Sequence, residues 1–340
     1  MALIALKRSL YLLCWRLTGI LYPGHWLFLT YDDSRLTDGG GNQALRITAI
    51  KALSTLFDIG YSHTPISRID NHGIAALVGD PIEPERLAAW NSLAAFRSTN
   101  AVLSSAEIVP VKNLKLADLF LYRRLSATRK KIVILSIANP FPVSDFFPNC
   151  YTLVRQNAEQ SRSRAQLRVA LHVRRGDLMW THSERLLPIN YYLEVALRIA
   201  KILESLNIQY VCELYSEELT NSLTLQPGDH GFSTDSERAV VLNSASSDLK
   251  VLDAIPYLKK FINHDPIDSI QRMACSDIFV TSRSAFSYLA AIKNSHGIVI
   301  YHPFWHPPLP GWIQSDQEKL FSESLFRRRL WWRMLQTHES

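Results

Sequence analysis

Hydrophobic and polar positions follow one another along the chain in blocks typical of alternating strands and helices. Residues 25–31 form an apolar run, and residues 44–59 carry leucine and alanine at helical spacing, with Gly60 as the stop. A polar, glycine-rich turn at 38–43 lies between them. The order strand, glycine turn, helix is typical of the start of a nucleotide-binding α/β unit.

The rest of the chain continues this alternation. The pattern predicts strands at 131–137, 168–173, 208–215, 239–242 and 277–281, with a last strand at 297–301. It predicts helices at 190–206, 266–275 and 284–293. The strands are apolar throughout, which is typical of a parallel sheet covered by helices. The expected fold class is therefore α/β, and the order of elements within 61–131 is not predicted.

The length of 340 residues suits two domains of ordinary size. The polar stretch 156–166 contains two arginines and favours a domain boundary close to it. We therefore divide the chain into an N-terminal amphipathic helix, two α/β domains and a C-terminal basic, aromatic helix, at 1–22, 23–160, 161–315 and 316–340.

Composition restricts the class of protein. Hydrophobic residues make up 47% and charged residues 20%, which excludes a disordered chain. The net charge of +6 favours anionic partners such as phosphates, membrane surfaces or nucleic acid, or it serves only solubility. Four cysteines lie far apart and predict neither a zinc site nor a disulfide framework, so we expect a reducing compartment, the cytoplasm.

Both ends of the chain leave two interpretations open. The first helix carries a leucine stripe, but Lys7, Arg8 and Arg16 exclude a membrane-spanning segment. It either packs on the protein or lies on a membrane surface. The segment 326–333 is basic and aromatic, which suits an anionic membrane surface or a helix that packs back on the first domain. Peripheral membrane contact therefore stays open.

The most informative charged residues follow the strand predicted at 168–173. His172, Arg174, Arg175 and Asp177 stand at its carboxyl end, where open α/β sheets bind ligands. Guanidinium groups are permanently charged and match phosphate oxygens bidentately. His172 and Arg174 share a face, because residues i and i+2 of a strand point the same way. The segment predicts either a phosphate site or an Arg–Asp cluster that caps the strand.

A second segment places hydroxyl groups where a helix begins. The strand predicted at 277–281 is followed by Ser282, Ser284, Phe286 and Ser287. Hydroxyls and free backbone N–H groups at a helix N-terminus form a phosphate site. The alternative is plain capping of the helix by Ser282 or Ser284.

Three motifs in this order resemble the α1,2-, α1,6- and protein O-fucosyltransferase superfamily. They are Gly-Gly-Asn-Gln at 40–43, His-x-Arg-Arg-Gly-Asp at 172–177 and Ser-x-Ser-x-Phe-Ser at 282–287, and the resemblance covers roughly residues 26–305. It implies a GT-B-like fold in which two Rossmann-like domains, with parallel sheets, face a cleft. It also implies inversion at the anomeric carbon and no metal requirement.

The same resemblance implies roles for single residues. Arg174 would bind the β-phosphate of GDP and offset the charge on the leaving group. His172 would contact the nucleotide, and Arg175 with Asp177 would shape the site. The donor would also meet residues of the other two motifs, namely Gly41, Asn42, Ser282, Ser284, Phe286 and Ser287.

Some chemistry is not determined by the motifs. Glu184 is our candidate general base, with His182 and Asp38 as others, and each could equally be a solvated loop residue. Adjacent carboxylates at Asp32 and Asp33 would point to opposite sides of a strand, so we expect no metal site there. Residues 282–288 read Ser-Arg-Ser-Ala-Phe-Ser-Tyr, whereas α1,2 members carry Asn-Ser-(Ser/Thr)-Phe-Ser-Trp-Trp, which leaves linkage and acceptor open.

The resemblance thus implies an inverting, metal-independent enzyme that moves fucose from GDP-fucose to a glycan hydroxyl. The C-terminal domain would bind the donor, and the N-terminal domain would lie on the acceptor side. Its partners would be a GDP-sugar and a glycan, with no cofactor and no nucleic acid. One alternative is a transferase of the same fold for another nucleotide sugar. The other is a basic module that binds membrane or nucleic acid without catalysis.

Overall fold

The chain folds into two compact units, each with a parallel sheet of its own. The computed structural model describes residues 2–33, 39–69, 84–99, 105–154, 166–176, 185–218, 223–225, 240–242 and 248–338. Described residues through Val154 belong to the first unit, and those from Gln166 onward belong to the second. The predicted boundary at 160/161 lies outside the described residues. The α/β class is confirmed, and the cleft between two domains stays a prediction.

The first unit has a four-stranded sheet in which all pairs are parallel, in the order β2-β1-β4-β3. Its strands are β1 (Leu27–Tyr31), β2 (Gly60–Tyr61), β3 (Glu107–Asn113) and β4 (Val133–Asn139). Its helices are α1 (Ala2–Leu21), α2 (Gly40–Phe57), α3 (Pro84–Leu93), α4 (Leu116–Arg129) and α5 (Phe141–Ser144), with 3₁₀ segments at Gly24–Trp26 and Pro148–Leu153.

The positions of the strands explain which of them the sequence predicted. β1 and β4 are central and mostly buried, so their apolar runs were visible. β3 lies at the edge, contains Pro110 and has no fully buried residue. Proline suits an edge strand because it donates no ladder hydrogen bond. An edge strand of this kind lacks the apolar run that identifies a buried one.

Helix α2 begins earlier than the predicted residue 44. Of the glycines expected to form a turn, Gly39 is the N-cap of this helix, and Gly40 and Gly41 lie in its first turn. A Cβ atom at Gly40 would stand 2.4 Å from Cε2 of Trp90. The absence of a side chain at Gly40 therefore lets the indole of α3 pack against the helix backbone.

The second unit has a seven-stranded sheet in the order β13-β12-β11-β10-β5-β6-β9. Its pairs are parallel except for the last, β12 with β13. The strands are β5 (Leu167–His172), β6 (Tyr210–Ser216), β9 (Leu258–Ile262), β10 (Ile278–Val280), β11 (Ile298–Tyr301), β12 (Ile313–Asp316) and β13 (Leu320–Phe321), beside a separate antiparallel pair of β7 (Leu223–Leu225) and β8 (Val240–Leu242). The helices are α6 (Ile189–Ser205), α7 (Pro266–Ala274), α8 (Ala285–Lys293) and α9 (Glu323–His338), with a 3₁₀ segment at Asp248–Ala254.

The strand order of this unit is that of a Rossmann fold. Counted along the chain, the strands from β9 to β12 lie in the order 3-2-1-4-5-6, with β7 and β8 outside the sheet. The order reverses between β5 and β10, which are direct neighbours. The prediction that 297–301 is the last strand is wrong, because β12 and β13 follow it. β12 was missed because its four residues alternate between buried and exposed and form no apolar run.

The C-terminal helix belongs to the second unit. Phe326 and Leu330 of α9 are buried in the core that α6 forms with the sheet. The helix thus packs on the second unit, whereas the sequence left open a membrane surface or the first domain. Trp331 and Trp332 lie on its exposed side.

The N-terminal helix packs on the first unit through one face. Trp15 is buried, and its indole N–H donates to the carbonyl oxygen of Phe57 at 2.7 Å. The guanidinium of Arg123 lies 4.0 Å from the centre of the Trp15 ring. The packing interpretation of this helix is thus confirmed for that face.

Within the described ranges, no helix combines the length and the apolar character needed to cross a membrane.

Candidate functional site

A pocket of the second unit lies where several parallel strands end. Its empty volume is about 440 Å³, including space open to solvent. The residues come from the carboxyl ends of β5, β6 and β9, from the start of α7 and from the first turn of α8: His172, Val173, Arg174, Arg175, Tyr215, Ser216, Glu217, Phe261, His264, Pro266, Ser269 and Phe286. The sequence therefore placed the His-x-Arg-Arg residues correctly at the end of a strand beside a pocket.

The pocket borders the point where the strand order reverses. In open α/β sheets the crevice beyond the carboxyl ends at this point is the usual ligand site. Here the end of β5 is tied to the segment after β10, since Nδ1 of His172 is hydrogen-bonded to Oγ of Ser282 at 2.8 Å. Two of the three motifs, 110 positions apart in the chain, thus meet directly.

Arg174 carries the positive charge that reaches into this pocket. Its Nη1 lies 3.2 Å from Oε2 of Glu217, and the two side chains are 20% and 36% exposed. Such a partly exposed pair contributes little stability, on the order of 1 kcal/mol or less. Exchange of this pair for an anion of higher charge, such as a diphosphate, would therefore forfeit little of the stability of the fold.

Gly176 allows the chain to turn tightly after the two arginines. Its φ is +61°, a left-handed conformation that glycine adopts readily. A Cβ atom there would also stand 2.2 Å from Oε2 of Glu217. Local packing thus explains why glycine occupies this position of the motif: it lets Glu217 lie close to the backbone beside Arg174.

Arg175 differs from its neighbour, because its side chain is buried. Its guanidinium donates to both carboxylate oxygens of Asp248, with Nε–Oδ1 and Nη2–Oδ2 distances of 2.8 Å. It also donates to the carbonyl oxygens of Arg174 and Leu187. Arg175 therefore joins the end of β5 to two other segments, and its direct contact with a donor stays a prediction.

His172 is held neutral by its surroundings. Burial, and then the positive charge of Arg174, lower the pKa of His172 to about 3. Its ring centre lies 5.1 Å from that of Phe286. A neutral imidazole has one donor and one acceptor nitrogen, so His172 can bridge Ser282 and a polar ligand group without adding charge.

The serines of the third motif organise the start of α8. Ser284 is its N-cap, and its Oγ accepts a hydrogen bond from the backbone N–H of Phe286 at 3.2 Å. Oγ of Ser287 accepts from the N–H of Ser282 at 3.0 Å. The capping alternative is thus confirmed for Ser284. The roles of Ser282, Ser284, Phe286 and Ser287 toward a donor stay predictions.

Other predicted site residues are not brought to this pocket by the described structure. Asp177 and the base candidate Glu184 lie outside the described residues, as do His182 and Asp38. Gly41 and Asn42 lie in the first unit, in the first turn of α2, where the N–H of Asn42 donates to the carbonyl of Gly39. Their contact with a donor stays a prediction.

The structure adds charged residues near the pocket that the sequence analysis missed. Glu217, which lines the pocket, pairs with Arg174, and Asp248 pairs with Arg175. Glu217 comes two positions after the predicted strand 208–215, so the sequence could have predicted its place at a strand end. His264 comes just before α7 and was hidden, because the strand before it, β9, contains two lysines.

The first unit has a pocket of its own, also at the carboxyl side of its sheet. It is lined by the last residues of β1, by residues after β1 and β2, and by residues of β3 and β4: Thr30, Tyr31, Asp32, Asp33, Thr64, Ser67, Arg68, Ile108 and Ser136. Oδ2 of Asp33 accepts a hydrogen bond from the N–H of Ser67 at 2.9 Å. Over the described parts of the chain, no group of three or more His, Cys, Asp and Glu side chains is placed to hold a metal ion.

No protein-family model matches the chain, and no curated protein sequence matches it. Solved structures similar to it include POFUT1 in complex with GDP, at 11% identity and a TM-score of 0.37 over 81% of this chain and 96% of that one. Another is E. coli heptosyltransferase WaaC with ADP-2-deoxy-2-fluoro heptose, at 12% identity and a TM-score of 0.36 over 89% and 98%. A third is E. coli ADP-heptose lps heptosyltransferase II, at 10% identity and a TM-score of 0.33 over 92% and 98%. At these low scores, any inference about function rests on the residues of this chain.

Those residues form a pocket suited to a ligand that carries negative charge and further polar groups. One arginine reaches the pocket against a replaceable carboxylate, and a neutral histidine and an aromatic ring lie beside it. The backbone of α8 begins at the same place, and helix N-termini favour negative charge. This combination suits a phosphorylated ligand such as a nucleotide.

Proposed function

We propose that this chain is a glycosyltransferase that takes a nucleoside diphosphate sugar as donor, and that the donor is GDP-fucose. One observation carries the proposal: Arg174, in a partly exposed ion pair with Glu217, lines a pocket at the point of a Rossmann-ordered sheet where ligands usually bind. The choice of fucose and guanine is supported by the three sequence motifs.

Arg174 supplies the chemistry that such a transfer needs. When the bond between the sugar and the diphosphate breaks, positive charge develops on the sugar and negative charge on the leaving group. A guanidinium held near the β-phosphate stabilises that negative charge most strongly in the transition state. We propose that Arg174 does so without a divalent metal, and that the reaction inverts the anomeric carbon.

The remaining assignments complete this proposal. The first unit lies on the acceptor side, the acceptor is a glycan hydroxyl, and Glu184 removes its proton. The enzyme acts in the cytoplasm with peripheral contact to a membrane. These assignments are supported by the resemblance of the motifs and by the basic, aromatic composition of the chain ends.

A panel of nucleotides in a thermal unfolding experiment tests the proposal. We expect GDP to raise the melting temperature more than UDP or ADP, and equally with and without EDTA. A ligand that binds only the folded state stabilises it by about 2.7 kcal/mol at 100 times its Kd. Loss of the shift in EDTA would contradict metal independence, and no shift with any nucleotide would contradict the donor site.

Donor identity needs a second experiment. GDP-fucose, GDP-mannose and an ADP-sugar are each incubated with the protein and a panel of glycan acceptors, which take up the sugar, and release of the nucleoside diphosphate is measured. Release from GDP-fucose alone supports fucose transfer. Release only from another donor would keep the reaction class and replace the sugar, which is the alternative of another nucleotide sugar. A basic binding module without catalysis would release no diphosphate.

A further inference from the structure

One face of helix α1 exposes a continuous stripe of large apolar side chains. Its members are 53–79% exposed and recur at alternating spacings of three and four residues, except for an adjacent pair at the end: Leu3, Leu6, Leu10, Leu13, Leu17, Ile20 and Leu21. Side chains at this spacing lie on one side of a helix. Contiguous apolar surface of this kind on a folded protein marks a contact with a protein or a membrane.

The opposite face of α1 holds the helix to the first unit. Trp15 is 4% exposed, and Arg123 donates to the carbonyl oxygens of Trp15 and Tyr22 at 2.9 and 2.6 Å. The ring of Tyr11 meets that of Phe146 edge-on at 5.8 Å. Because these contacts engage one face, the leucine stripe cannot turn inward without losing them.

The charges of α1 are of one sign. Lys7, Arg8 and Arg16 belong to the helix, and residues 1–31 contain no aspartate or glutamate. Lys7 and Arg16 are exposed and border the leucine stripe on its two sides. An apolar face bordered by basic residues is typical of a helix that lies in the plane of an anionic membrane surface.

A second copy of the chain is the competing occupant. The three–four spacing of the leucines also suits a coiled-coil seam. Two copies of α1 would bring Lys7 and Arg16 together with no acidic residue in either helix to pair with them, in parallel or antiparallel orientation. Charge complementarity therefore favours anionic lipid over self-association.

We propose that the leucine stripe of α1 is a binding surface for anionic lipid, on which the helix lies parallel to the membrane with its leucines among the acyl chains. The inference rests on the peripheral membrane contact proposed above and names its surface. Because α1 belongs to the first unit and the nucleotide pocket to the second, its test does not depend on the proposed transfer reaction.

Co-sedimentation of the full chain with lipid vesicles tests the surface. Wild-type protein is expected to bind vesicles of phosphatidylcholine with phosphatidylglycerol and to bind pure phosphatidylcholine more weakly. The double variant Leu10→Glu, Leu13→Glu should lose binding by about tenfold or more for each leucine. The matched control is Leu121→Glu, Leu153→Glu, which changes two exposed leucines of the same unit outside α1 and should bind like wild type.

The basic residues are tested separately. Lys7→Ala and Arg16→Ala should each weaken binding to the anionic vesicles about fivefold. Arg124→Ala and Arg129→Ala, which change exposed arginines of α4, should have no effect. An equal loss of vesicle binding in the α1 variants and in the α4 variants would show a general effect of charge and overturn the proposed surface.

Sedimentation velocity tests whether a second copy of the chain binds the leucine stripe. A wild-type dimer that becomes a monomer in the Leu10→Glu, Leu13→Glu variant, with vesicle binding unchanged, would overturn the proposal in favour of self-association. Wild-type protein that ignores anionic vesicles would overturn it as well. Thermal unfolding verifies that each variant is folded, which we expect because none of the changes touches the buried Trp15.

Discussion

Two adjacent arginines have different tasks because their surroundings differ. Arg175 is 2% exposed, and a bidentate pair with Asp248 uses its guanidinium inside the protein. Arg174 lines the pocket, and its ion pair with Glu217 is partly exposed. The same residue type thus ties segments of the fold together at one position and borders a pocket at the next.

Replacing Arg174 tests the catalytic role. Arg174→Ala should leave the fold intact and lower sugar transfer by about 10²–10³, the usual loss when one preorganised charge donor is removed. Arg174→Lys should restore only part of the rate, since an ammonium lacks the bidentate geometry. The matched control, Arg327→Ala, changes a partly exposed arginine of α9. An alanine variant that is folded and fully active per molecule would refute the role.

His172 makes stability depend on pH. Its pKa is lowered from an ordinary value of 6.5 to about 3, so in this interval the unfolded chain binds a proton that the folded chain does not. Stability should therefore fall as pH drops from about 6.5 toward 3, with this histidine contributing about 1.4 kcal/mol per pH unit. Urea unfolding across this range, for wild type and His172→Gln, measures the contribution.

The comparison with His172→Gln is needed because burial also lowers the pKa of His63 and His302. Those residues add the same slope to both proteins and cancel in the difference. Identical slopes for wild type and variant would mean that His172 is already protonated in the folded protein or accessible to water.

At the scale of elements, the start of α8 combines a cap with a place beside the pocket. Ser284 caps the helix, and Phe286 two residues later lines the pocket. The cap and a phosphate site make different demands. A helix cap needs only a side-chain oxygen that accepts a hydrogen bond, and a carboxylate can supply it. A phosphate site must not carry a negative side chain, because that side chain would repel the ligand.

Two substitutions at Ser284 separate these demands. Ser284→Asp should keep the cap and the melting temperature, because aspartate and serine cap equally well, but its charge should repel GDP. Ser284→Ala should cost about 1 kcal/mol of stability and weaken GDP binding much less. Calorimetric binding of GDP to both variants provides the measurement. GDP that binds the aspartate variant as tightly as wild type would remove α8 from the donor site.

The predicted and observed bounds of the helices and strands show which elements a local sequence pattern can predict. Two of the three strands that lead into the candidate site, β5 and β6, were visible from their apolar runs, and α6, α7 and α8 were visible from their spacing. β9 and β12 were missed, because lysines or alternating burial replace an apolar run in them. The early start of α2 was also missed, since only the Trp90 ring packed against Gly40 makes glycines acceptable in a helix there.

At the scale of the whole molecule, the two units have separate sheets and different local stabilisers. The first unit depends on α1, whose Trp15 packs between Phe57 and Phe120 with ring-centre distances of 5.0 and 5.2 Å. The pocket with Arg174 belongs to the second unit. A change at Trp15 should therefore affect stability without altering the pocket.

Trp15→Ala tests this separation. Loss of a buried indole and of its hydrogen bond should lower stability by about 3–5 kcal/mol. GDP affinity measured below the unfolding transition should stay within about twofold of wild type, since Trp15 and the pocket belong to different units and independent sites do not couple. A large loss of GDP affinity in the folded variant would show that the pocket depends on the first unit.

The sequence by itself determined the α/β class, the buried strands β5 and β6 beside the pocket, and the presence of Arg174 and Ser284 at strand and helix ends. These features follow from periodicity and from residue types within a few positions, so no distant contact is needed to predict them.

Only the tertiary structure decided which strands are neighbours and which charges pair. It placed β10 beside β5, joined His172 to Ser282, and gave Arg174 and Arg175 partners 43 and 73 positions away. It also decided which face of α1 is buried and which is exposed. These outcomes depend on contacts between segments far apart in the chain, and such contacts leave no local pattern in the sequence.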